Sequence, residues 1–504
     1  MPCPRLSGPS HAAALTLSRV ILILFLCAGA LDLVLAPGPA QASAQPPQTH
    51  RRPNIVFILT DDLSMNLLPF MPGLAEIRKQ GTTFTNYFVT DSLCCPSRSS
   101  IFTGKLPHNT GVFKNTGQDG GYEAFNAHGN LSQTFAVALQ KVGYKTAFLG
   151  KYLNGYMPAK AGPAPGWDEW DVAGNGYKNF DYNLNQNGAI VPYGSDPHSY
   201  LTDVVSKLGR DFIRKSGNNP FLIEIATFSP HAPYIPAPRD ANEFPRLEYP
   251  HTPAFAARPD ATAPSWLKSI PELEPQKFNH MRRAFRMRAQ SVRSVDKMIK
   301  DIRALLAELG VDNNTYIVFS SDNGYHMGEY SLRPGKMTPF DTDINVPLIV
   351  MGPGVRKGAV VKDIVENIDL NPTFVDLAEA VPPGTPDGHS LVPLLRGAAT
   401  DDRRRLALIE HHGMPIVDPA DPDAPELHSA NPPTYEAIRM AGAMYVEYAL
   451  TDPCYYDLTK DPFELHNVAA SLPAAQKDHL HQILRTNATC KGPGACWDAQ
   501  RLQP

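Results

Sequence analysis

Only seven cysteines occur in the 504 residues, and two of them lie within the first 27 positions. A disulfide-stapled scaffold is thereby excluded, because such folds spend a much larger share of a shorter chain on cysteine. Charge excess of either sign is lacking too: 46 Lys and Arg face 50 Asp and Glu, a formal charge of −4, with no dense basic stripe. No nucleic acid is expected as a partner, since nothing in the chain would track a phosphate backbone. Internal repeats, low-complexity tracts and coiled-coil heptads are absent, which removes solenoids and fibrous assemblies. What remains is 43% hydrophobic residues in a chain long enough for one large α/β domain and a smaller companion.

The N-terminus reads as an export signal. Arg5 and Arg19 lead into an apolar run from Val20 to Ala36, broken only by Asp32, and Ala42-Ser43-Ala44 supplies a small-x-small cleavage pattern. The expectation is a signal peptide over residues 1–44, a Pro/Gln-rich linker over 45–52, and a secreted or periplasmic, extracytoplasmic location. An uncleaved anchor is the alternative, because the run approaches the roughly 18–20 residues of a membrane span. Asp32 and the cleavage pattern favour cleavage, leaving no stable membrane span. The mature chain keeps Cys94, Cys95, Cys454, Cys490 and Cys496. Cys490 and Cys496 enclose a turn-like Lys-Gly-Pro-Gly-Ala and are plausible disulfide partners in an oxidising compartment; the partner of Cys454 is undetermined. Asn130, Asn313 and Asn487 head Asn-x-Ser/Thr triplets that matter only in a glycosylating host.

Hydrophobic runs then alternate with helical stretches. Asn54 to Thr60 is a continuous apolar, β-branched run, the pattern of a strand buried on both faces of a parallel sheet. Similar runs recur at Thr146 to Leu149, Phe221 to Ala226, Thr315 to Ser320 and Pro347 to Met351, between helical patterns at Leu131 to Val142, Tyr200 to Lys215 and Met281 to Leu309. This alternation predicts a wound α/β sheet with helices on both faces over residues 53–385. A proline-rich stretch from Pro236 to Gln276 reads as a long ordered loop over the site. After a break at Val381 to Gly397, strands over Tyr435 to Leu450 and Cys454 to Leu458 predict a smaller α+β subdomain over residues 386–504. Ligands of wound sheets collect outside the carboxyl ends of the strands, where Asp61, Asp62, Lys151, His231, Asp322 and Asn323 all fall.

One run concentrates the chemistry: Cys94-Cys95-Pro96-Ser97-Arg98-Ser99-Ser100-Ile101-Phe102-Thr103-Gly104. Proline suits a first helical turn, so a helix is predicted immediately after the cysteine pair, with Cys94 at its positive end and Arg98 nearby. Such a place lowers a thiol pKa and holds an anion, which makes Cys94 a candidate nucleophile. The plainer reading of two adjacent cysteines is disulfide partners or buried small hydrophobes. Asp61, Asp62, Asp322 and Asn323 are hard oxygen donors at two strand ends and would suit Ca²⁺ or Mg²⁺, although Asp-Asp and Asp-Asn-Gly are each also common turn sequences.

Cys94-x-Pro96-Ser97-Arg98 with Thr103-Gly104 resembles the first signature of the type I sulfatases, and Gly143-Tyr144-Lys145-Thr146 leading to Gly150-Lys151-Tyr152-Leu153-Asn154 resembles the second. The resemblance implies the alkaline-phosphatase-like fold, a large, mixed, mostly parallel sheet flanked by helices. It further implies that Cys94 is oxidised to formylglycine (3-oxoalanine) by a formylglycine-generating enzyme during maturation, and that the hydrated aldehyde is the nucleophile. One divalent cation, usually calcium, would be held by Asp61, Asp62, Asp322, Asn323 and an oxygen of the group at position 94. Arg98, Lys151 and Lys336 would bind sulfate, and His231 would protonate the departing alcohol. The family's C-terminal hairpin is echoed in Asp457-Leu458 and Asp461-Pro462-Phe463-Glu464.

One position departs from the pattern: many sulfatases carry a histidine two residues after the second-signature lysine, where this chain has Leu153. A subgroup resembling glucosamine-6-sulfatases and extracellular heparan 6-O-endosulfatases shares the Gly-Lys-Tyr-Leu-Asn form, Pro107-His108-Asn109 and the run Asp322 to Gly328. His108 or His326 is then the replacement base, or a sulfate-positioning group. The resulting expectation is hydrolysis of a sulfated small molecule or glycan to alcohol and inorganic sulfate. A phosphodiesterase or phosphonate monoester hydrolase of the same superfamily is the first alternative, and a secreted binding protein with a decayed site the second.

Overall fold

A computed structural model describes residues 52–398, 403–414, 421 and 423–504. The expected signal peptide and nearly all of the linker lie outside them. No described helix is long and apolar enough to cross a membrane.

Strand β1 (Asn54–Thr60) is buried along its whole length, as its run of Ile, Val, Phe and Leu demands. Its residues alternate between the two faces: Ile55, Phe57 and Leu59 join one apolar core, Val56 and Ile58 the other. In sequence order follow β2 (Thr82–Phe88), β3 (Lys145–Lys151), β4 (Glu169–Ala173), β5 (Tyr182–Gln186), β6 (Ala189–Tyr193), β7 (Phe221–Ala226), β8 (Thr315–Ser321), β9 (Leu348–Met351) and β10 (Ala359–Glu366). These ten form one sheet ordered β10-β2-β9-β8-β1-β7-β3-β4-β5-β6. The inner run β8-β1-β7-β3-β4 is parallel throughout. β9 pairs antiparallel with both neighbours, and β4-β5-β6 is an antiparallel meander, so the sheet is mixed.

Helices cover both faces, as strand–helix alternation predicts. Cys94–Thr103, Phe135–Lys141 and Leu370–Leu377 contribute Phe102, Phe135 and Phe374 to the core under Phe57. Leu201–Ser216 and the 34-residue Pro275–Glu308 contribute Val205, Phe285 and Val292 to the opposite core. The long helix starts six residues before the expected Met281 because Pro275 fits its first turn. A second, antiparallel sheet, β11 (Leu406–His411), β12 (Tyr435–Met440), β13 (Ala443–Tyr448) and β14 (Cys454–Asp457), packs against the helix Ala474–Ala488. The stretch expected as strand from Tyr435 to Leu450 is a hairpin, turned at Ala441-Gly442. Cys490 and Cys496 form a disulfide, whereas Cys454 is buried and free. Asn130 and Asn487 are buried with their amides bonded to backbone carbonyls, which withdraws both as glycan acceptors in the folded chain.

β7 carries a carboxyl in an apolar layer. Glu224 aligns with Phe57 of β1 and Phe148 of β3, is fully buried, and neither of its oxygens has a hydrogen-bond partner among the described residues. Burial pushes its pKa up to about 8, against the opposing pull of Arg98. The folded state therefore binds a proton that the unfolded chain releases near pH 4.5. Its contribution to stability is complete below that pH and falls by about 1.4 kcal/mol per unit until the folded pKa is passed. Thermal unfolding of Glu224→Gln between pH 5 and 8 should show a shallower fall in Tm than the parent; parallel profiles would refute the assignment.

Candidate active site

Four neighbouring parallel strands deliver their carboxyl ends to one place. β1 runs into Asp61 and Asp62, β8 into Asp322 and Asn323, β3 ends on Lys151, and β7 leads through Thr227 to His231. Because β8, β1, β7 and β3 are adjacent in the sheet, residues 260 positions apart come within hydrogen-bond reach: Asp62 N–H donates to Asp322 Oδ1 at 3.2 Å. The loop after Asp322 brings Lys336 back to the same point. Asp62 has a left-handed backbone, φ 59°, uncommon for a residue other than glycine. Its carbonyl accepts from the fully buried Arg288, whose guanidinium lies 4.4 Å over the Tyr325 ring.

Cys94 faces this cluster from the start of its own helix. The helix begins at Cys94 itself, two residues earlier than the expected start at Pro96. The first-turn N–H groups have no intrahelical partner in any case, so a proline at the third position costs nothing. The Cys94 Sγ lies 2.8 Å from Lys336 Nζ, 3.4 Å from Lys151 Nζ and 3.3 Å from Asp61 Oδ1. Lys151 pairs with Asp61 at 2.7 Å and Lys336 with Asp62 at 2.8 Å. Arg98 donates from Nε to Asp322 at 2.8 Å and from Nη1 to the Lys151 carbonyl at 2.7 Å, while its buried Nη2 makes no hydrogen bond among the described residues.

A lowered thiol pKa at Cys94, expected from the helix end and Arg98, is not what this environment produces. Burial, then Asp423 and Asp61, push the thiol well above its usual value, outweighing Lys151 and Lys336. An unmodified thiol here is a poor nucleophile. Burial opposes charge on His231, but Asp62, Asp423 and Asp61 prevail and raise its pKa. The same balance holds Lys151 and Lys336 firmly protonated.

The donor set fits a hard divalent cation. Asp61, Asp62, Cys94 and His231 each present a ligand atom, all within 4.8 Å of one another. Asn323 sends its amide N–H to Asp62 at 2.7 Å, and its buried Oδ1 is without a hydrogen-bond partner among the described residues. A buried amide oxygen beside carboxylates is the donor type that Ca²⁺ and Mg²⁺ take.

Thus the structure gathers Cys94, Arg98, Lys151, His231, Lys336, Asp61, Asp62, Asp322 and Asn323. It does not bring His108 or His326 into the cluster. His108 spends its ring nitrogens on Glu410 and the Cys490 carbonyl, and His326 spends its own on Asp343 and the Ser429 carbonyl. With their rings held by partners outside the cluster, neither is placed to take a proton at Cys94. Leu153 is buried, and the residue that reaches the cradle instead is Asp423, from the loop between β11 and β12. It accepts from Lys336 at 2.9 Å, Asn154 at 2.5 Å, Tyr177 at 2.9 Å and His231 Nε2, and lies 3.6 Å from Cys94 Sγ. Lys151 and Lys336, together with His231, hold its pKa well below the carboxylate range despite burial. Sequence reasoning passed over it because it sits in an Asp/Pro-rich stretch with no motif.

Residues 53–380 match the sulfatase family model, and residues 328–488 match the model described as N-sulphoglucosamine sulphohydrolase, C-terminal. The chain is 32% identical to the N-acetylglucosamine-6-sulfatase of Homo sapiens, over 97% of this chain and 92% of that one. It is 35% identical to an extracellular sulfatase homologue of Drosophila melanogaster, over 72% of this chain but 33% of that one. Among solved structures, one described as a complex with its substrate D-glucosamine-2-N,6-O-disulfate matches with a TM-score of 0.74 at 22% identity, over 86% of this chain and 97% of that one. The phosphonate monoester hydrolase of Agrobacterium radiobacter matches with a TM-score of 0.66 at 22% identity, over 87% and 96%. A mixed sheet of this order, with helices on both faces, is the alkaline-phosphatase-like fold that these solved structures share. The chain belongs to the sulfatase family, and its class of activity is sulfuric ester hydrolysis.

Calcium binding tests the donor set without turnover. A divalent cation that binds there at about one hundred times its Kd would stabilise the native state by about 2.7 kcal/mol, a rise of a few degrees in Tm, and calcium is the ion to try. Asp62→Asn should lose that rise whatever its own starting Tm. An equal calcium-induced shift in both proteins would displace the ion from this cluster.

Proposed function

We propose that the protein is an extracytoplasmic sulfatase acting on carbohydrate sulfate monoesters, with 6-O-sulfated amino sugars as the favoured class. The observation that carries this reading is the position of Cys94 Sγ, within 3.4 Å of two lysine ammonium groups at the carboxyl edge of the sheet. Likeness to glucosamine-6-sulfatases over most of the chain supports the substrate class. The Cys490–Cys496 disulfide supports an oxidising compartment. Catalytic groups come from residues 53–385, and the C-terminal subdomain, 386–504, adds Asp423.

A formylglycine-generating enzyme is the maturation partner, and the hydrated aldehyde it would leave at position 94 supplies a hydroxyl for attack at sulfur and a second hydroxyl for release of sulfate. A divalent cation, in our reading calcium, would be held by Asp61, Asp62, Asp322 and Asn323 and would supply Lewis-acid polarisation. The chain's own groups do the remainder. Lys151 and Lys336 grip the ester oxygens, and the unspent Nη2 of Arg98 offers a further N–H to charge that develops there. His231 donates Nδ1–H to the Ala232 carbonyl at 2.7 Å, which leaves Nε2 facing the cradle to give its proton to the departing alcohol oxygen.

Mass spectrometry of the purified protein should find the Cys94 peptide carrying an aldehyde in place of the thiol, and Cys94→Ala should release no sulfate. Matched aryl sulfate and aryl phosphate esters separate this reading from the phosphonate monoester hydrolase that shares the fold: faster turnover at phosphorus would overturn it. A proton donor matters most when the leaving group is basic. His231→Ala should therefore slow sulfate release from an alkyl or sugar ester by about 10²- to 10⁴-fold and from an activated aryl ester by far less. Equal losses on both would remove His231 from the role of acid.

A further inference from the structure

Arg288 stands in no signature-like run, and among the described residues its side chain makes a single hydrogen bond, to the backbone carbonyl of Asp62. We propose that Arg288 is a positioning residue for the cation site: its guanidinium sets the loops after β1, β8 and β7, so that Asp62, Asn323 and His231 stand in place before an ion arrives. This deepens the cation reading above and rests on it.

Asp62 is the residue that most needs holding. Its left-handed backbone, φ 59°, is disfavoured for a residue with a side chain and persists only where the surroundings fix it. Its own N–H donates to Asp322 Oδ1, and the next one, from Leu63, to Ser321 Oγ at 2.9 Å. Both ties come from the end of β8, inside the sheet. The carbonyl is tied to another layer, because the donor is Nη2 of Arg288 on the long helix Pro275–Glu308. Phe285, Ala289 and Val292 root that helix in the core on either side of Arg288. The same guanidinium lies 4.4 Å over the ring of Tyr325, two residues beyond Asn323, and so braces the loop after β8. Tyr325 passes the tie on: its hydroxyl is 2.7 Å from that of Tyr234, which lies three residues beyond His231 and is itself left-handed at φ 63°. One side chain thereby reaches three of the four loops that build the cradle.

The placement is costly to the fold. Arg288 is fully buried, and its Nε and Nη1 have no hydrogen-bond partner among the described residues. Buried donors left unmade destabilise a native state, so an apolar side chain of similar length would pack here at less cost. A hydrocarbon could not hold the Asp62 carbonyl. Lysine could not replace the arginine either, since only a planar group donates from its edge while it stacks through its face. The consequence for an ion is one of population. If loss of Arg288 leaves the loops in binding geometry about one-tenth of the time, the apparent Kd rises about tenfold, and excess ion restores the geometry.

The test is calorimetry of calcium binding to the purified, full-length protein and to Arg288→Lys, Arg288→Met and Ile302→Ala. Arg288→Lys keeps the charge and loses the planar contact, and Arg288→Met loses both. Ile302 is buried about four turns farther along the same helix, which makes it the control for lost core packing. The Kd should rise about tenfold in Arg288→Lys and at least as much in Arg288→Met. Ile302→Ala should lower Tm and leave the Kd where it was. Sulfate release should divide in the same way: at saturating calcium, Arg288→Lys should keep a KM within about twofold of the parent's, because Arg288 donates to none of the groups that grip sulfate. An unchanged Kd in Arg288→Lys, an equal weakening in Ile302→Ala, or a loss of sulfate release that excess calcium does not restore would overturn the proposal. Should Arg288→Met fail to fold, Arg288→Lys decides alone. A parent protein that binds neither calcium nor magnesium would overturn the cation reading and this proposal with it, whereas an aldehyde-bearing parent that binds calcium but releases no sulfate would overturn the sulfatase reading alone.

Discussion

β1 hydrogen-bonds β8 along one edge and β7 along the other, all three running the same way, and every side chain of β1 is buried. A parallel strand held on both sides cannot slip by one residue without exchanging the side chains fitted into the two cores. Its carboxyl end is therefore fixed relative to those of its neighbours. Asp61, Asp62, Asp322, His231 and, one strand further, Lys151 inherit that precision, because each sits within a few residues of a strand end. The backbone pairing of Asp322 N–H with the Thr60 carbonyl at 3.0 Å continues the ladder into the site itself.

Electrostatics complete what the sheet begins. Asp61, Asp62, Asp322 and Asp423 face Arg98, Lys151, Lys336 and His231, all of them buried. Burying any one of these charges alone would be prohibitive, and removing one partner of such a pair costs about 3–5 kcal/mol. Each group is tolerated because another of opposite sign stands within a few ångströms. The arrangement keeps the lysines protonated, favours the charged form of His231 and raises the Cys94 thiol, so the site is arranged for anions while suppressing thiolate chemistry.

The sequence was most legible where local pattern and tertiary role coincide. β1, β3, β7, β8 and β9 announce themselves as short apolar runs, and the residues just beyond four of them are the ones that the sheet gathers. The antiparallel β4-β5-β6 meander was not legible: Tyr182–Gln186 carries three amide side chains, Ala189–Tyr193 is five residues long with Pro192 inside it, and their pairing depends on an edge that only the folded sheet provides. His108 and His326 were read as site residues because they lie in signature-like runs. Their ring nitrogens serve instead to tie those runs to Glu410 and Asp343, a distinction that no linear pattern carries. Asp423 was invisible for the opposite reason: an Asp in an Asp/Pro-rich stretch reads as a solvated turn, and only the return of the loop between β11 and β12 places it against Lys336.

That carboxylate gives the cradle its character. The ammonium of Lys336, the imidazole of His231 and the amide of Asn154 all point at Asp423, so the site holds an anion supplied by its own chain. An incoming sulfate ester asks for the same donors. It exchanges one set of charge-assisted hydrogen bonds for another of like kind, instead of stripping water from bare lysines. Such an exchange leaves little net electrostatic gain to be had from sulfate alone, since the donors were never unsatisfied. Discrimination among sulfate esters must then come from what surrounds the sulfate, and Asn154 and Tyr177, which hold Asp423 in place, fix the wall of the cradle on that side.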